Sequence, residues 1–352
     1  MRLMAVVFAL QASAAVAGDT WIALTPARAQ MGSSILAGDP FAPDTLYADA
    51  FSINSIAKSA DGGKTWNVVL PFSRSEVLEK IVVERNAPNR VTAMMLDSDI
   101  IIYRSTNGGI TWLRFHVSSP VPGIVMDIAV DPVDTNKLYT AHERICLTAN
   151  SCVRDSGGVS KSVDGGRHWT ALLKDTDVEQ VIIDLFGSGT IYAGSEFGGW
   201  RRSTNGGATW TTFDLSGESI FRIVLDPVVP DVLYASTFVA GLWRSDDRGD
   251  TWRELGNPFA FGPAWSIAID PAQREVIVAG GGSSQGASRS VDGGRTWASL
   301  NDGLIGYPLA PSQLAWIRVF FAINSKLYGA ADFFGAMTLQ TQAPARSRSV
   351  RH

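Results

Sequence analysis

Acidic side chains with aromatic rings near them are the residues of this sequence that could do chemistry. Two carboxylates held roughly 5 to 10 Å apart can cleave a glycosidic bond, one as the acid and the other as base or nucleophile. By position alone, Asp49 and Asp332 form a candidate catalytic pair. The candidate binding residues are rings that can stack on a sugar or fill a protein pocket, together with two acids: Phe51, Phe197, Phe238, Phe333, Phe334, Glu143 and Glu196.

Other catalytic motifs are absent or out of context. The segment 282–286 reads Gly-Ser-Ser-Gln-Gly and matches G-x-S-x-G. A nucleophile elbow needs a strand, a sharp turn and a helix, and a triad histidine. This segment lies among glycines, so we interpret it as a flexible loop. The sequence has no H-E-x-x-H, P-loop or C-x-x-C motif, and we predict neither a metal nor a cofactor.

The two cysteines, Cys146 and Cys152, are six residues apart. In an exported chain such a pair forms a disulfide that closes a small loop. The alternative is a two-ligand metal site, but no nearby His or Cys completes the usual four ligands.

A recurring nine-residue segment provides the framework that must position these side chains. Six copies, beginning with Lys58 to Trp66, fit S-x-[DN]-x-G-x-[TH]-W. The copies recur roughly every 40 to 57 residues, which is typical of propellers and solenoids. An Asp or Asn side chain can accept backbone N–H groups in a tight turn, glycine tolerates positive φ, and the Trp begins the next strand. We assign a structural role to the acidic or amide residue and the tryptophan of every copy: Asp61, Asn107, Asp164, Asn205, Asp247, Asp292, Trp66, Trp112, Trp169, Trp210, Trp252 and Trp297.

A second motif precedes most copies. An apolar segment runs into an Asp-Pro turn and is followed by Leu-Tyr-Ala, as in 39–48 and 226–235. Each repeat therefore predicts four antiparallel strands, which is one propeller blade. We predict an all-β, seven-bladed propeller with six blades that carry the nine-residue segment, over 31–70, 76–117, 122–173, 177–215, 218–256 and 262–300.

The seventh blade lacks a copy of the repeat. Its last strand is predicted to come from residues 19–24, because Gly-Asp-Thr-Trp at 18–21 matches Gly249 to Trp252. This pairing would close the ring and remove exposed sheet edges. The predicted organisation is a signal peptide at 1–17, one propeller domain at 18–341 and a disordered tail at 342–352.

The nine-residue segment resembles the Asp-box (BNR) repeat of sialidase-like, sortilin-like, xyloglucanase-like and photosystem-assembly-factor-like propellers. The resemblance implies the propeller fold, and it leaves function open because these families act differently on one scaffold. A sialidase-like activity is disfavoured, because Phe221 to Val224 is similar to the F-R-I-P signature but lacks its proline. Xyloglucanase-like relatives use two propellers around a cleft, whereas one is predicted here.

Alternate turns of a propeller lie on opposite faces. The Asp-Pro turns and Asp boxes are expected on one face, and the remaining loops, with the candidate acids and rings, on the other. Blade three has a long insertion in such a loop, with the cysteines inside it; a functional loop and a stabilising flap are equally consistent with it.

The amino-acid composition limits which classes of function the protein can have. The 352-residue chain has a net charge of −4 and 18% charged residues, so it lacks the basic stripe of a nucleic-acid binder. The start of the sequence, with Arg2, an apolar run and Ala15 to Ala17, predicts a signal peptide; the run is too short for the alternative, a membrane anchor. We expect a secreted or periplasmic monomer, without a membrane span, that binds a protein or glycan without catalysis; the alternative is a glycoside hydrolase.

Overall fold

The computed structural model describes residues 20–24, 35–40, 42–50, 54–97, 100–148, 151–215, 217–238, 241–259, 262–281, 285–302, 317–321, 326–331 and 335–340. Within these ranges the regular elements are β-strands, and no helix is long and apolar enough to cross a membrane. The predicted signal peptide and the predicted C-terminal tail lie outside the described residues.

Six continuous segments each fold into a four-stranded antiparallel sheet, and we use the word blade for such a sheet. The first strand, β1 (Thr20–Ala23), precedes them. Blade one contains β2 (Leu36–Gly38), β3 (Leu46–Ala50), β4 (Ser55–Ser59) and β5 (Asn67–Pro71). Blade two contains β6 (Val77–Val83), β7 (Val91–Leu96), β8 (Ile100–Ser105) and β9 (Leu113–His116). Blade three contains β10 (Ile124–Val130), β11 (Leu138–Glu143), β14 (Gly158–Ser162) and β15 (Thr170–Lys174), with the inserted hairpin β12 (Cys146–Thr148) and β13 (Ser151–Cys152).

The second half of the chain repeats this plan. Blade four contains β16 (Gln180–Ile183), β17 (Ile191–Ser195), β18 (Gly199–Ser203) and β19 (Thr211–Phe213). Blade five contains β20 (Ile220–Leu225), β21 (Leu233–Thr237), β22 (Leu242–Ser245) and β23 (Arg253–Glu254). Blade six contains β24 (Ser266–Ile269), β25 (Ile277–Gly280), β26 (Ala287–Ser290) and β27 (Ala298–Ser299). The last strands are β28 (Ile317–Phe321), β29 (Leu327–Ala331) and β30 (Gly335–Gln340).

The predicted count of seven blades is corrected to six blades, each formed by one continuous segment and each carrying an Asp box. The last segment of the chain supplies only three strands, so it cannot form a blade of this kind. A further four-stranded sheet, in the order β1-β30-β29-β28, is assembled from both ends of the chain instead, and we call it the closing sheet. In it Trp21 pairs with Leu339 and Ile22 with Thr338, so the predicted partner of the N-terminal strand is the observed one.

The closing sheet contacts blade six on one side and blade one on the other. Its strand β28 lies beside β24 of blade six. On the other side Tyr328 packs against Leu46 of blade one, and its hydroxyl donates to the Pro43 carbonyl at 3.4 Å. Leu24, just after β1, accepts a hydrogen bond from the Trp66 indole at 3.4 Å. The sheets therefore form a closed ring, and the apolar core lies in layers between neighbouring sheets.

Hydrogen bonds within each blade place the two kinds of turn on one face. In every blade, a backbone N–H of the Asp box donates to a carbonyl of the turn between the first two strands. In blade one Gly62 donates to Asp44 at 2.8 Å, and in blade six Gly293 donates to Glu275 at 2.9 Å. We call this side the turn face and the opposite side the loop face. The predicted separation of turns and loops is confirmed.

The Asp-box residues bond to one another and to the preceding sheet. In blade one the Asp61 carboxylate accepts the Ser59 hydroxyl at 2.8 Å and the Thr65 amide at 2.9 Å. Their hydrogen bonds lower the pKa of Asp61 to about 2. In blade two the Trp112 indole donates to Gly109 of its own box at 3.1 Å and to Val69 of blade one at 2.9 Å. The carboxylate of each such acid is therefore already hydrogen-bonded within its own turn.

Basic side chains before the boxes connect successive blades on the turn face. Lys58 lies over the Tyr47 ring and donates to the Gly108 carbonyl of blade two at 2.9 Å. Arg202 of blade four donates likewise to the Arg248 carbonyl of blade five at 2.9 Å. Arg244 of blade five differs, because it donates to Asp246 of its own box at 2.6 Å. The contact between blades five and six therefore lacks this arginine tie.

Candidate functional site

The inner strands carry polar residues at one level of the central channel. Lys80, Asp127, Gln180 and Arg222 occupy equivalent register positions in β6, β10, β16 and β20. Lys80 forms an ion pair with Asp127, and Asp127 accepts the Val181 amide at 3.2 Å. The inner strands of blades two, three and four are thus joined through side chains.

The same polar level continues to blade five. The Gln180 side chain donates to the Ile223 carbonyl at 3.1 Å and accepts the Ile223 amide at 3.2 Å, in the manner of a neighbouring strand. Asp127 is buried and the Gln180 side chain is half-buried, and both have partners, which removes the cost of burying them unpaired. This belt of side-chain contacts links blades two to five around the channel.

An arginine of blade two crosses the channel at the turn face. Arg85 lies in the first turn of blade two, where four of the other repeats have proline, and its guanidinium donates to the Pro227 carbonyl of blade five. Blades two and five are not neighbours, so the contact spans the channel mouth. Burial lowers the pKa of Arg85. A ligand of the channel would therefore approach from the loop face.

Four acids gather on the loop face at blades three and four. They are Glu143 at the end of β11, Asp177 and Glu179 before β16, and Glu196 after β17. Burial raises the pKa of Glu143, and Asp177 raises it further. Burial also raises the pKa of Glu179, with Arg222 opposing the shift and Asp177, Glu143 and Glu196 adding to it. The four carboxylates therefore interact and form a negative surface.

A short hairpin beside these acids exposes a phenylalanine. Phe197 lies between β17 and β18 and is 83% exposed. Ser195 holds the hairpin, since its hydroxyl donates to Asp177 at 2.8 Å and accepts the Gly198 amide at 2.8 Å. An aromatic ring held in solvent on a braced hairpin is suited to insertion into a partner's pocket.

The inserted hairpin of blade three lies next to the acids. The predicted disulfide is confirmed, because Cys146 and Cys152 are bonded with an S–S distance of 1.98 Å. Two acids between β15 and β16 hold the insertion: Asp177 accepts the Arg144 amide at 3.0 Å and Asp175 accepts the Asp155 amide at 2.7 Å. Between these anchors the hairpin presents Leu147, 76% exposed, to solvent. The insertion is therefore an ordered protrusion with an apolar side chain near its tip.

Only one member of the predicted catalytic pair lies within the described residues, so the pair stays a prediction. Asp49 is 7% exposed near the loop-face end of β3, and burial raises its pKa to about 6. Its predicted partner Asp332 lies outside the described residues, as do three predicted binding residues, Phe51, Phe333 and Phe334. No described acid shifts the pKa of Asp49.

The other predicted binding residues lie at two separate places on the loop face. Glu143, Glu196 and Phe197 come together at blades three and four, whereas Phe238 follows β21 on blade five and is 47% exposed. Sequence reasoning missed Glu179 and the channel belt. Polar residues within otherwise apolar inner strands, such as Asp127 and Gln180, are a usable signal for that belt, and Arg85 in the place of proline is one for the separate contact with Pro227.

A buried histidine lies under the loops between blades two and three. His142 is fully buried, and its Nε2 lies 2.9 Å from the Thr140 hydroxyl and 3.3 Å from the Ser119 hydroxyl. Burial lowers its pKa to about 4. Among the described residues no acid is hydrogen-bonded to the ring, so the Ser119 contact does not make a catalytic triad there.

The fold is shared with proteins of several functions. A xyloglucanase from Xanthomonas campestris has a TM-score of 0.67 at 17% identity, with 94% of this chain and 55% of that chain covered. YCF48 from Cyanidioschyzon merolae has a TM-score of 0.64 at 16% identity, with 91% and 99% covered. A structure of YCF48 bound to D1 peptide has a TM-score of 0.63 at 17% identity, with 92% and 97% covered.

Sequence similarity points to enzymes of much greater length. A xyloglucanase of Hypocrea jecorina is 30% identical over 252 residues, which are 68% of this chain and 26% of that protein. A xyloglucanase of a Paenibacillus species is 31% identical over 133 residues, which are 31% of this chain and 13% of that protein. The chain thus spans about a quarter or less of the length of these two relatives.

A family model covers most of the propeller. The model for Sortilin-Vps10, described as sortilin, neurotensin receptor 3, matches residues 54–183 and 200–325, which is more than half of the chain. These ranges run from blade one to the end of the last Asp-box repeat and into the closing sheet, and they include the loop-face acids Glu143 and Asp177. The chain belongs to the Sortilin-Vps10 family.

Proposed function

We propose that this protein is a binding module whose loop face at blades three and four receives a segment of a protein partner. The observation that carries the proposal is Phe197, which is 83% exposed on a hairpin held by Ser195 and Asp177. Leu147 on the disulfide-closed insertion adds a second apolar contact. Exposed aromatic anchors surrounded by polar groups are typical of interface hot spots.

The charge of this surface favours a basic segment. Burial raises the pKa of Glu179, and repulsion from Asp177, Glu143 and Glu196 raises it further. A lysine or arginine of the partner would relieve that repulsion. The structure of YCF48 bound to D1 peptide supports the proposal, since a similar fold binds a peptide.

The binding module is proposed to act outside the cytoplasm. The disulfide between Cys146 and Cys152 supports this location, because disulfides persist in oxidising compartments. We extend the proposal to a secreted or periplasmic monomer, consistent with the short apolar run after Arg2.

A peptide array probed with the purified protein tests the proposal. We expect binding to peptides that combine lysine or arginine with an apolar residue, and a loss of about tenfold or more in affinity for Phe197→Ala. Ile110→Ala is the matched control, because Ile110 is 81% exposed but lies in an Asp box on the turn face. Equal losses for both variants, or no peptide binding at all, would refute the loop-face assignment.

Glycoside hydrolysis is the second candidate. It is favoured by the similarity to xyloglucanases and by Asp49, whose raised pKa of about 6 suits a general acid. A hydrolysis assay on polysaccharides, xyloglucan included, decides between the two. Turnover that disappears in Asp49→Asn would establish the enzyme, whereas binding without turnover would support the module.

A further inference from the structure

The turn face has a cleft between blades five and six that the proposed binding surface does not use. Four arginines line this 190 Å³ cavity against two acids: Arg244, Arg253, Arg274, Arg295, Glu275 and Asp292. A neighbouring 350 Å³ cavity also contains Arg253 and Arg295. We propose that this cleft binds an oxyanion, such as a sulfate, phosphate or carboxylate group, between the guanidinium groups of Arg253 and Arg295.

Two of the four arginines are already engaged. Arg244 donates to Asp246 at 2.6 and 2.8 Å and to the Tyr234 hydroxyl at 3.1 Å. Arg274 donates to Asp226, which is fully buried, at 3.2 Å. These arginines form the wall of the cleft.

The other two arginines are available to a ligand. Arg253 is 54% exposed at its side chain, and its Nε is 3.8 Å from Asp246, beyond hydrogen-bond distance. Arg295 is exposed, and within the described ranges its guanidinium makes neither a hydrogen bond nor an ion pair. Guanidinium groups that line one cavity suit the planar, two-point recognition of an oxyanion.

No other pair of adjacent blades presents two arginines at these positions. Arg253 directly follows the Asp-box tryptophan of blade five, and Arg295 directly precedes the Asp-box threonine of blade six. The equivalent pairs from blade one onward are Asn67 with Ile110, Leu113 with Arg167, Thr170 with Ala208, and Thr211 with Asp250. The pairing is therefore a local departure from the repeat, as expected of a site and not of the scaffold.

The same interface lacks the arginine tie that other blades use. Asp246 holds Arg244 away from the next Asp box, whereas Arg202 reaches the Arg248 carbonyl of its neighbour. Of the two lining acids, Asp292 is occupied by Ser290 at 2.7 Å and by its own turn. Glu275, and Asp246 through its ion pair with Arg253 at 3.8 Å, are then the acids whose charge opposes an incoming anion.

Calorimetric titration of the full chain with sodium sulfate, at constant ionic strength set with sodium chloride, tests the site. We expect saturable binding that weakens about tenfold in Arg295→Gln and in Arg253→Gln, because each removes a charged hydrogen-bond donor. Glu275→Gln is expected to strengthen binding severalfold, since it removes the competing charge. Parallel titrations with phosphate and acetate show which oxyanion geometry fits better.

Arg167→Gln is the matched control, because Arg167 occupies the position of Arg295 in blade three and lines a 170 Å³ cavity opposite Leu113. We expect its sulfate affinity to equal that of the unaltered chain. Absence of saturable heat, or an equal loss in Arg167→Gln and Arg295→Gln, would overturn the proposal. All of these side chains are solvent-exposed or at the surface, so thermal unfolding of each variant should match and separates binding from misfolding.

Discussion

Two buried titratable residues change the free energy of unfolding in opposite directions as the pH changes. Asp49 and His142 both lie near the loop face, and burial disfavours the charged form of each. For an acid this raises the pKa, and for a histidine it lowers the pKa. Their neutral forms are therefore the ones that fit the fold at mildly acidic pH, and each can be tested separately.

Asp49→Asn should stabilise the protein at neutral pH. The pKa of Asp49 is about 6 in the fold, above its ordinary value of 3.8, so the folded state binds the proton more tightly. Stability is then lost as pH rises from about 4 to 6, and the variant should gain on the order of 2 kcal/mol at pH 7. Urea unfolding of both proteins at pH 3.5 and 7 measures this. A gain of the same size at pH 3.5 would contradict the assignment to burial of charge.

His142→Gln should remove a pH dependence of the opposite sign. The pKa of His142 is about 4 in the fold against 6.5 ordinarily, so the unfolded chain binds the proton first as pH falls. The unaltered histidine therefore loses stability from pH 6.5 down to 4, by roughly 1.4 kcal/mol per pH unit. Because Asp49 changes in the other direction over pH 4 to 6, the two slopes largely cancel in the unaltered protein. The free energy of unfolding of the variant should fall as pH rises from 4 to 6. A profile equal to that of the unaltered protein would exclude His142 as the source of the opposing slope.

At the scale of elements, the Asp boxes could be predicted because their chemistry is local. Ser59, Asp61 and Thr65 bond within seven residues, so their types and spacing define the turn without knowledge of the rest of the chain. The belt from Lys80 to Gln180 could not be predicted in this way. Its partners belong to different blades, and only the packing of whole blades brings them together.

Gly63→Ala tests how a box contacts the preceding sheet. Gly63 has φ of 91° and an added Cβ would lie 2.6 Å from Cδ1 of Leu24. Gly217→Ala is the control, because its φ is 96° but nothing lies within 4 Å of the added atom. Both variants carry the backbone strain of positive φ, about 1 kcal/mol. We expect a lower unfolding temperature for Gly63→Ala than for Gly217→Ala, and equal values would show that the Leu24 contact adds nothing.

At the scale of the whole molecule, the ring was easier to predict than its site. Repeats fix the number of boxes, but the loops that carry Glu143, Glu196 and Phe197 differ in every blade. Their meeting depends on hydrogen bonds such as Arg144 to Asp177, which join residues 33 positions apart. The candidate pair Asp49 and Asp332 rested on loop order alone, which places residues on a face without fixing the distance between their carboxylates.

Deletion of residues 1–24 tests whether the two ends of the chain hold the ring closed. The deletion removes β1, so β30 loses the partners that Thr20 to Ala23 provide and becomes an open sheet edge. We expect the unfolding temperature to fall by at least about 5 °C and the protein to self-associate in size-exclusion chromatography. A variant that lacks only residues 1–17 keeps β1 and should behave as the full chain does. If both deletions unfold at the same temperature and remain monodisperse, the closing sheet is held by blades one and six without the help of the N-terminal strand.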